Sequence, residues 1–349
     1  MPPDTEDLGN SFFMDLDANF QHIARKVDPV IKKLLALGAE NKTRKLLFYQ
    51  IETGGKRLRP CLAILCCFAC GGKVQDVLEA AAGLEILHTY SLIIDDIIDH
   101  SDKRRGKLTT WRKFGRSFAE CVGMDYGASL LEAAARTSKP QLIARIFART
   151  IKKIVEGEIL DILFEQSGRV DEPYATTHRF GKITLQDYLG MAEKKTAFLF
   201  ESSCEIGALM PKAPRRKILA LKQYGRNVGI AFQITDDILD IYGTQEFGKP
   251  LGQDIRERKL GNILIFFALQ ELPFEKRTEV RRILTKRVIT NSDVKRVSSY
   301  IQKTHGKERA LALAQMYIRR AKKNLVPLGL TPHRNALEQL ADVIQRREK

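Results

Sequence analysis

The chain reads as an all-α, single-domain helical bundle, and three observations predict it. Apolar residues recur at spacings of three and four along most of the sequence, as in Phe20, Ile23, Val27, Ile31 and Leu34 and again in Leu78, Ala81, Leu84 and Leu87, the period of a helix with one buried face. Alternating runs of Val, Ile, Thr and aromatic residues bounded by turns, the mark of strands, are scarce. Breakers fall at short intervals and leave no long flexible linker. Gly54-Gly55, Gly71-Gly72, Lys139-Pro140, Ser167 to Pro173, Pro211 to Pro214, Gly243 to Gly252 and Leu272-Pro273 each read as a turn between helices. Residues 1–12, acidic, are expected to be disordered, and residues 13–349 to form the one domain.

Composition narrows the function. With 44% apolar residues among 349 the chain can bury a substantial core, while its longest unbroken apolar run, Cys61 to Cys70, is about half of a bilayer span. The first twenty residues hold Asp4, Glu6, Asp7, Asp15 and Asp17 and no Lys or Arg, unlike the basic secretory and mitochondrial signals. A cytoplasmic protein is expected. Of the net charge of +16, +11 lies in residues 271–349, where basic side chains alternate with helical apolar ones and no RNA-binding or zinc-finger signature accompanies them. That pattern argues against nucleic acid as a partner. It favours anionic substrates, or a weak contact of the basic C-terminal quarter with an anionic membrane surface. Of the six cysteines, Cys67 and Cys70 form a lone C-x-x-C without a second pair at zinc spacing, so all six are read as small core residues in a reducing compartment.

The element around which the chain is organised is Ser91-Leu-Ile-Ile-Asp-Asp-Ile-Ile-Asp99. On a helix Asp95 and Asp99 stand one turn apart on one side, with Asp96 about 100° round the barrel. One D-D-x-x-D is commonly a solvated or Arg-paired face. Here the flanks are Leu92, Ile93, Ile94, Ile97 and Ile98, and the same spacing returns at Asp236, Asp237 and Asp240 in equally apolar surroundings. Acids in such a setting need a cation, a hydrogen bond or a proton. Two acidic helices facing each other would form a metal trap. Oxygen-only ligands favour Mg²⁺ or Mn²⁺, and Mg²⁺ is held by one or two carboxylates together with water and a phosphate-bearing substrate.

Basic residues that could handle such a phosphate flank the acids. In Gly54-Gly-Lys-Arg-Leu-Arg-Pro60 paired glycines free the backbone to approach an anion, and Lys56 and Arg59 are expected on the opening turn of the next helix. The nucleotide-binding G-x-x-x-x-G-K-[ST] is absent. Arg104 and Arg105 follow the first acidic motif, with salt bridges to Asp99 or Asp102 as the competing use. Lys194 and Lys195 with Thr196, then Lys249 and Lys259, supply further positive charge.

In this order the motifs G-G-K-R-L-R-P, H-T-Y-S-L-I-I-D-D-I-I-D with R-R-G, K-K-T, F-Q-I-T-D-D-I-L-D and G-K-P-L-G-Q-D-x-x-x-x-K, running from Gly54 to Lys259, resemble the trans-prenyltransferases, or isoprenyl diphosphate synthases. The resemblance implies an all-α bundle around a deep central cavity, as a homodimer. It implies that isopentenyl diphosphate is condensed with an allylic diphosphate. Lys56, Arg59, His88 and Arg105 would hold the diphosphate of the former; Arg104, Lys195 and Lys259, with Lys249, that of the latter; Thr196 and Gln233 would line the reacting end. Asp95, Asp99 and Asp236 would bind three Mg²⁺ directly, with Asp96, Asp237 and Asp240 in support. The released diphosphate would take the proton, so no protein nucleophile is expected.

Several positions depart from the family's usual residues: Ile94, Leu108, Trp111, Glu158 and Arg258. None removes an expected ligand or phosphate cation. Tyr90, five residues before Asp95, would sit about 7.5 Å deeper along the helix, and with the small Ser91 it forms the expected floor for the growing chain. In the family an aromatic there, without an insertion in the first motif, goes with geranylgeranyl diphosphate (C20); farnesyl diphosphate (C15) or a longer product is the alternative. A class I terpene cyclase would have no use for Gly54 to Pro60 or for a second complete acidic motif, and a non-catalytic subunit of a heteromeric synthase would be expected to lose acids.

Overall fold

Helices build the chain over residues 16–243 and 251–346, which the structure, a computed structural model, describes. The expected disordered segment 1–12 and Lys249 lie outside those residues. The chain is all-α: among the described residues the only sheet is a two-stranded hairpin, Lys103–Arg104 (β1) with Lys107–Leu108 (β2). The breakers at Gly54-Gly55, Gly71-Gly72, Lys139-Pro140, Ser167 to Pro173, Pro211 to Pro214 and Leu272-Pro273 all fall at helix ends.

Two compact units make up the structure. One comprises Met1–Lys152, Leu199–Arg226 and Arg320–Ala341, the other Lys153–Phe198, Asn227–Arg319 and Asp342–Lys349. The first unit opens with α1 (Leu16–Leu35), α2 (Asn41–Glu52), α3 (Leu58–Ala69) and α4 (Val74–Ile98), then α5 (Thr110–Phe114) and α6 (Arg116–Ala135). In α1 the periodic Phe20, Ile23, Val27, Ile31 and Leu34 are all buried. Helix α4 packs on α6, α3 and α1. It is long and apolar enough to cross a membrane by composition, yet most of it is buried within the fold. Leu84, Ile86, Leu87, Ile93 and Ile97 are among its core residues, and each contributes about 2 kcal/mol by leaving water. That burial brings its polar C-terminal turn to a defined place.

Cys61, Cys66, Cys67 and Cys204 are buried as expected, but Cys70 is half-buried and Cys121 is exposed on α6, so the reading of all six as core residues fails at these two. Burial pushes the Cys67 thiol up to about 12 and Cys70 up to about 11, which keeps both protonated and poor as metal ligands at neutral pH.

After α7 (Pro140–Leu163) come α8 (Pro173–His178) and α9 (Leu185–Ala192), which runs into a π-helical turn, Glu193–Ala197, and α10 (Phe198–Leu209). Helix α11 (Arg215–Tyr242) carries the second acidic motif, followed by α12 (Gln253–Arg256), α13 (Ile263–Glu271), α14 (Phe274–Leu284), α15 (Asn291–Ile301), α16 (Gly306–Asn324) and α17 (Pro332–Arg346). Helix starts are chemically marked. Thr184 and Asp187 form a reciprocal cap on α9, Thr290 and Asp293 on α15, and buried Asn262 accepts from the Leu264 and Ile265 N–H groups at the head of α13, satisfying donors that a helix leaves open.

Candidate functional site

The first unit gathers acids and cations at the C-terminal end of α4. Asp95 and Asp96 lie in its last turn and Asp99 is the cap, its N–H donating to the Asp95 carbonyl at 2.9 Å. A helix C-terminus is the negative end of the macrodipole, so three carboxylates here require nearby cations. Arg104 is one: its Nε donates to Oδ1 of Asp96 at 2.8 Å and its Nη2 to Oδ2 of Asp95 at 2.8 Å. Burial would lower the Arg104 pKa, but Asp95, Asp96 and Asp99 together hold it above the usual arginine value. It therefore stays charged. The competing pairing of these arginines with Asp102 is not the arrangement seen; Asp102 pairs with Arg112.

The two arginines adjacent in sequence are separated by a hairpin turn. Arg105 and Gly106 occupy the two loop positions with φ of 53° and 74°, the left-handed pair that a tight two-residue hairpin requires. Arg104 stays on β1 facing the acids, while the Arg105 guanidinium donates to the carbonyl of Gly54. Gly55, at φ 140°, lies directly beneath it: a Cβ there would sit 2.6 Å from Nη1 of Arg105. Gly55 thus leaves room for an arginine to dock on the Gly54 carbonyl.

Arg57, absent from the expected site, is the residue that shapes this loop. It is 4% exposed, adopts φ 49°, donates to Asp28 at 2.7 and 3.2 Å and to Glu85 at 3.2 Å, and also reaches the carbonyls of Gly54 and Ile51. Because Arg57 turns left-handed, α3 begins only at Leu58. Lys56 therefore lies outside the helix and is exposed, correcting the expectation that it shares the opening turn with Arg59. Arg59 is held between two partners: its Nη1 is 3.1 Å from Nε2 of His88, and its guanidinium carbon is 4.8 Å from the Phe200 ring centre, a cation–π contact. A guanidinium only donates, so Nε2 of His88 accepts. Burial first, then the charges of Arg59, Arg105, Arg104 and Arg57, hold the His88 pKa well below its ordinary value, and the ring is neutral.

Tyr90 lies on the same helix. Its ring would be 3.4 Å from a Cβ at Gly123 on α6, and Ile94 would be 3.1 Å from it, so tyrosine, isoleucine and the α6 backbone form one wall. Ser91 turns its hydroxyl back to the His88 carbonyl at 2.8 Å and presents little bulk.

In the second unit the chemistry centres on Asp161. Gly157 lets α7 touch the π-helical turn: a Cβ there would be 2.3 Å from the Lys195 backbone nitrogen. One turn later Oδ2 of Asp161, 5% exposed, accepts from Lys195 at 2.7 Å and Lys259 at 2.9 Å. Glu158 holds Lys195 at 2.7 Å and Glu257 holds Lys259 at 2.7 Å. Burial would raise the Asp161 carboxyl, but the two lysines hold it at about 2. Arg258, in the left-handed region at φ 64°, donates to the Lys286 and Arg287 carbonyls at 3.0 and 2.6 Å. The resulting kink belongs to the turn that delivers Lys259. The π-turn itself is an irregularity of the kind that recurs at functional sites.

The three acids on α11 divide their work. Asp237 is 3% exposed and accepts from the Tyr188 hydroxyl at 2.8 Å, the Ile263 N–H at 2.9 Å and Gln233 Nε2 at 2.8 Å. Thr196 in turn donates to Oε1 of Gln233, so these two expected reacting-end residues meet. Asp240, expected among the metal ligands, accepts the N–H groups of Gln253 and Asp254 at 2.8 and 3.2 Å; its oxygens anchor the start of α12. Asp96, also expected to bind metal, is only 1% exposed and bonded to Arg104. Asp95, Asp99 and Asp236 are half-buried.

In each unit the acids offer the oxygen-only ligands that suit a hard divalent cation. In the second unit burial, together with the neighbouring Asp254, pushes the Asp237 and Asp240 carboxyls well above their usual range, the condition a cation relieves. Among the described residues no group of three or more His, Cys, Asp or Glu side chains is placed to hold a metal ion by itself.

Asp161, Arg57, Tyr188 and Asp254 were not singled out from sequence. Arg57 and Asp254 do lie within the motifs G-G-K-R-L-R-P and G-K-P-L-G-Q-D-x-x-x-x-K, and Asp161 sits one turn beyond Gly157-Glu158; Tyr188 has no such signal, and its role depends on a contact with a distant segment.

The profile of the polyprenyl synthetase family matches residues 40–301. The chain is 34% identical to the short chain isoprenyl diphosphate synthase of Methanocaldococcus jannaschii over 79% of this chain and 80% of that protein. It is 33% identical to the geranylgeranyl diphosphate synthase of Saccharolobus solfataricus over 96% of this chain and 99% of that one. Among solved structures, the polyprenyl synthase from Caulobacter crescentus complexed with calcium and isoprenyl diphosphate matches with a TM-score of 0.86 and 28% identity, over 96% of this chain and 97% of that one.

Proposed function

The chain belongs to the polyprenyl synthetase family, and from that premise we propose that it is a short-chain prenyltransferase condensing isopentenyl diphosphate with an allylic diphosphate, with geranylgeranyl diphosphate as its main product. The observation that carries the reading is the pair Lys195 and Lys259 converging on Asp161, two ammonium groups preset for one diphosphate. Support for the acceptor half comes from Arg59 and Arg105, fixed by His88, Phe200 and Gly54. Lys56, exposed at the loop, adds a further positive charge for the same diphosphate.

The chain's residues then act as follows. Lys195 and Lys259 stabilise the diphosphate as the allylic C–O bond breaks and its electron pair passes to oxygen. Arg59 and Arg105 hold isopentenyl diphosphate so that its double bond attacks the allylic carbon, after which a proton leaves to the released diphosphate. Thr196 and Gln233 orient one another at the reacting end. We assign Asp95, Asp99 and Asp236 as direct Mg²⁺ ligands, with Mn²⁺ able to replace it. Held by these carboxylates, Mg²⁺ would supply Lewis-acid neutralisation of the leaving group's charge. Asp96, Asp237 and Asp240 keep the acidic segments and their neighbours in position.

Two finer points belong to the same reading. Tyr90 against Gly123 supports a C20 limit over C15. A homodimer is supported by Met124 and Leu131, which lie seven residues apart on one side of α6 and are 76% and 66% exposed, large apolar side chains that a partner surface would cover. Incubating the purified protein with Mg²⁺, isopentenyl diphosphate and each allylic primer, then sizing the dephosphorylated products, tests the proposal. C20 alcohol is expected. No elongation by the lone protein would favour a subunit of a heteromer, and cyclic hydrocarbon a cyclase.

A further inference from the structure

Two stretches of the chain contain no acidic residue at all: 206–235 and 309–337. Within the first unit they meet. The N-terminal half of α11 and the C-terminal end of α16 line one open groove of about 340 Å³ with Arg216, Leu219, Gln223, Lys323, Val326 and Pro327. Around it the exposed surface alternates basic and aliphatic. Lys212, Arg215, Arg216 and Lys323 are exposed, while Leu219 is 48% and Val326 58% exposed. Leu330, in the connection from α16 to α17, is 90% exposed. Arg334 pairs with Glu338 at 2.8 Å and so adds little to this face.

We propose that this face docks on an anionic lipid bilayer, with the lysines and arginines at the headgroups and Val326 and Leu330 entering the interface. Charge complementarity singles out the occupant: two segments that present basic residues and carry no acid of their own attract anionic lipid at short range, and aliphatic side chains left in water beside them gain by entering the acyl boundary. An acidic protein or a nucleic acid would use the cations but not Leu330. The sequence expectation placed membrane contact on the basic C-terminal quarter as a whole. The structure narrows it to the 320–330 end and adds residues 212–219 from another part of the chain. The inference rests on these residues and not on the catalytic reading.

Sedimentation of the full chain with lipid vesicles tests it, comparing phosphatidylcholine alone with phosphatidylcholine containing phosphatidylserine, at low and high salt. Pelleting is expected with the anionic vesicles only, and it should fall as salt rises. Each basic residue near such a surface strengthens binding on the order of fivefold, so Arg216→Glu with Lys323→Glu should weaken it at least twentyfold, by the same rough scale. Val326→Ser with Leu330→Ser should also weaken it. Neither pair touches the catalytic residues, so elongation in solution should be unchanged and reports that the variants are folded. Equal pelleting with neutral and anionic vesicles, unchanged binding in either double variant, or binding of RNA through these residues without vesicle binding would each overturn the proposal.

Discussion

A Cβ on Gly55 would lie 2.6 Å from Nη1 of Arg105. Fifty residues apart in sequence, the two are a socket and its occupant: with no side chain at Gly55 the Arg105 guanidinium reaches the Gly54 carbonyl, and an added methyl group would force the end of the arginine to move. Gly55→Ala should displace Arg105 and also strain a backbone at φ 140°. The expected outcome is a rise in KM for isopentenyl diphosphate of about tenfold, the loss of one charge-assisted contact, with KM for the allylic substrate little changed. Steady-state kinetics with each substrate varied in turn would show it; equal rises in both would refute the assignment.

Asp161→Asn leaves Lys195 and Lys259 without their shared counter-charge. Removing one member of a buried ion pair costs about 3 kcal/mol or more, so the urea midpoint should fall. KM for the allylic diphosphate should rise more than that for isopentenyl diphosphate, and Asp161→Glu should restore part of both. If stability drops while the two KM values keep their ratio, Asp161 is structural only.

The acids on α11 should separate by phenotype. Asp236→Asn should lower kcat on the order of a hundredfold with an unchanged melting temperature. Asp237→Asn, which alters an acceptor of three hydrogen bonds, should destabilise the fold by about 1–3 kcal/mol. Chelation with EDTA should abolish turnover, and Mg²⁺ or Mn²⁺ should restore it. A variant at Asp236 with normal turnover would remove it from the metal set.

Tyr90→Ala opens the wall formed with Ile94 and Gly123, and products longer than C20 should accumulate, while Tyr90→Phe keeps the ring and should leave product length as it is. Chromatography of the dephosphorylated alcohols decides. An Ala variant with the parent product would move the floor elsewhere.

His88 makes stability pH-dependent. Its folded pKa is depressed below the unfolded value of 6.5 by burial and by Arg59. The unfolded chain therefore binds the extra proton first, so stability is complete above about pH 6.5 and declines as pH falls toward the folded pKa, by at most about 1.4 kcal/mol per pH unit. Urea unfolding across this range should show the decline, and His88→Gln should flatten it. An identical slope in that variant would assign the effect to other groups.

Much of this was legible from residue order. The helical period around Leu84 and Leu87, the breakers at Gly54 and Pro211, and the repeated acidic motifs depend on local spacing, and local spacing is what a helix expresses directly. The helical class follows from it, and the family from the resemblance of the ordered motifs. The start of α3 differs from the expectation because Arg57 takes a left-handed conformation while its side chain is bound to Asp28 and Glu85 as well as to nearby carbonyls, and no local pattern encodes partners as far away as those two acids.

The sequence by itself therefore determined which charged groups the protein has and that helices carry them. Tertiary structure alone decided what each one does: Arg104 turned to the acids and Arg105 to Gly54, Asp161 set between two lysines, Asp240 used to start a helix. The reason is physical. A helix or turn is specified by neighbours in the chain, whereas the state of a carboxylate or guanidinium is set by burial and by the charges within a few ångströms, and those neighbours come from segments brought together only when the chain folds.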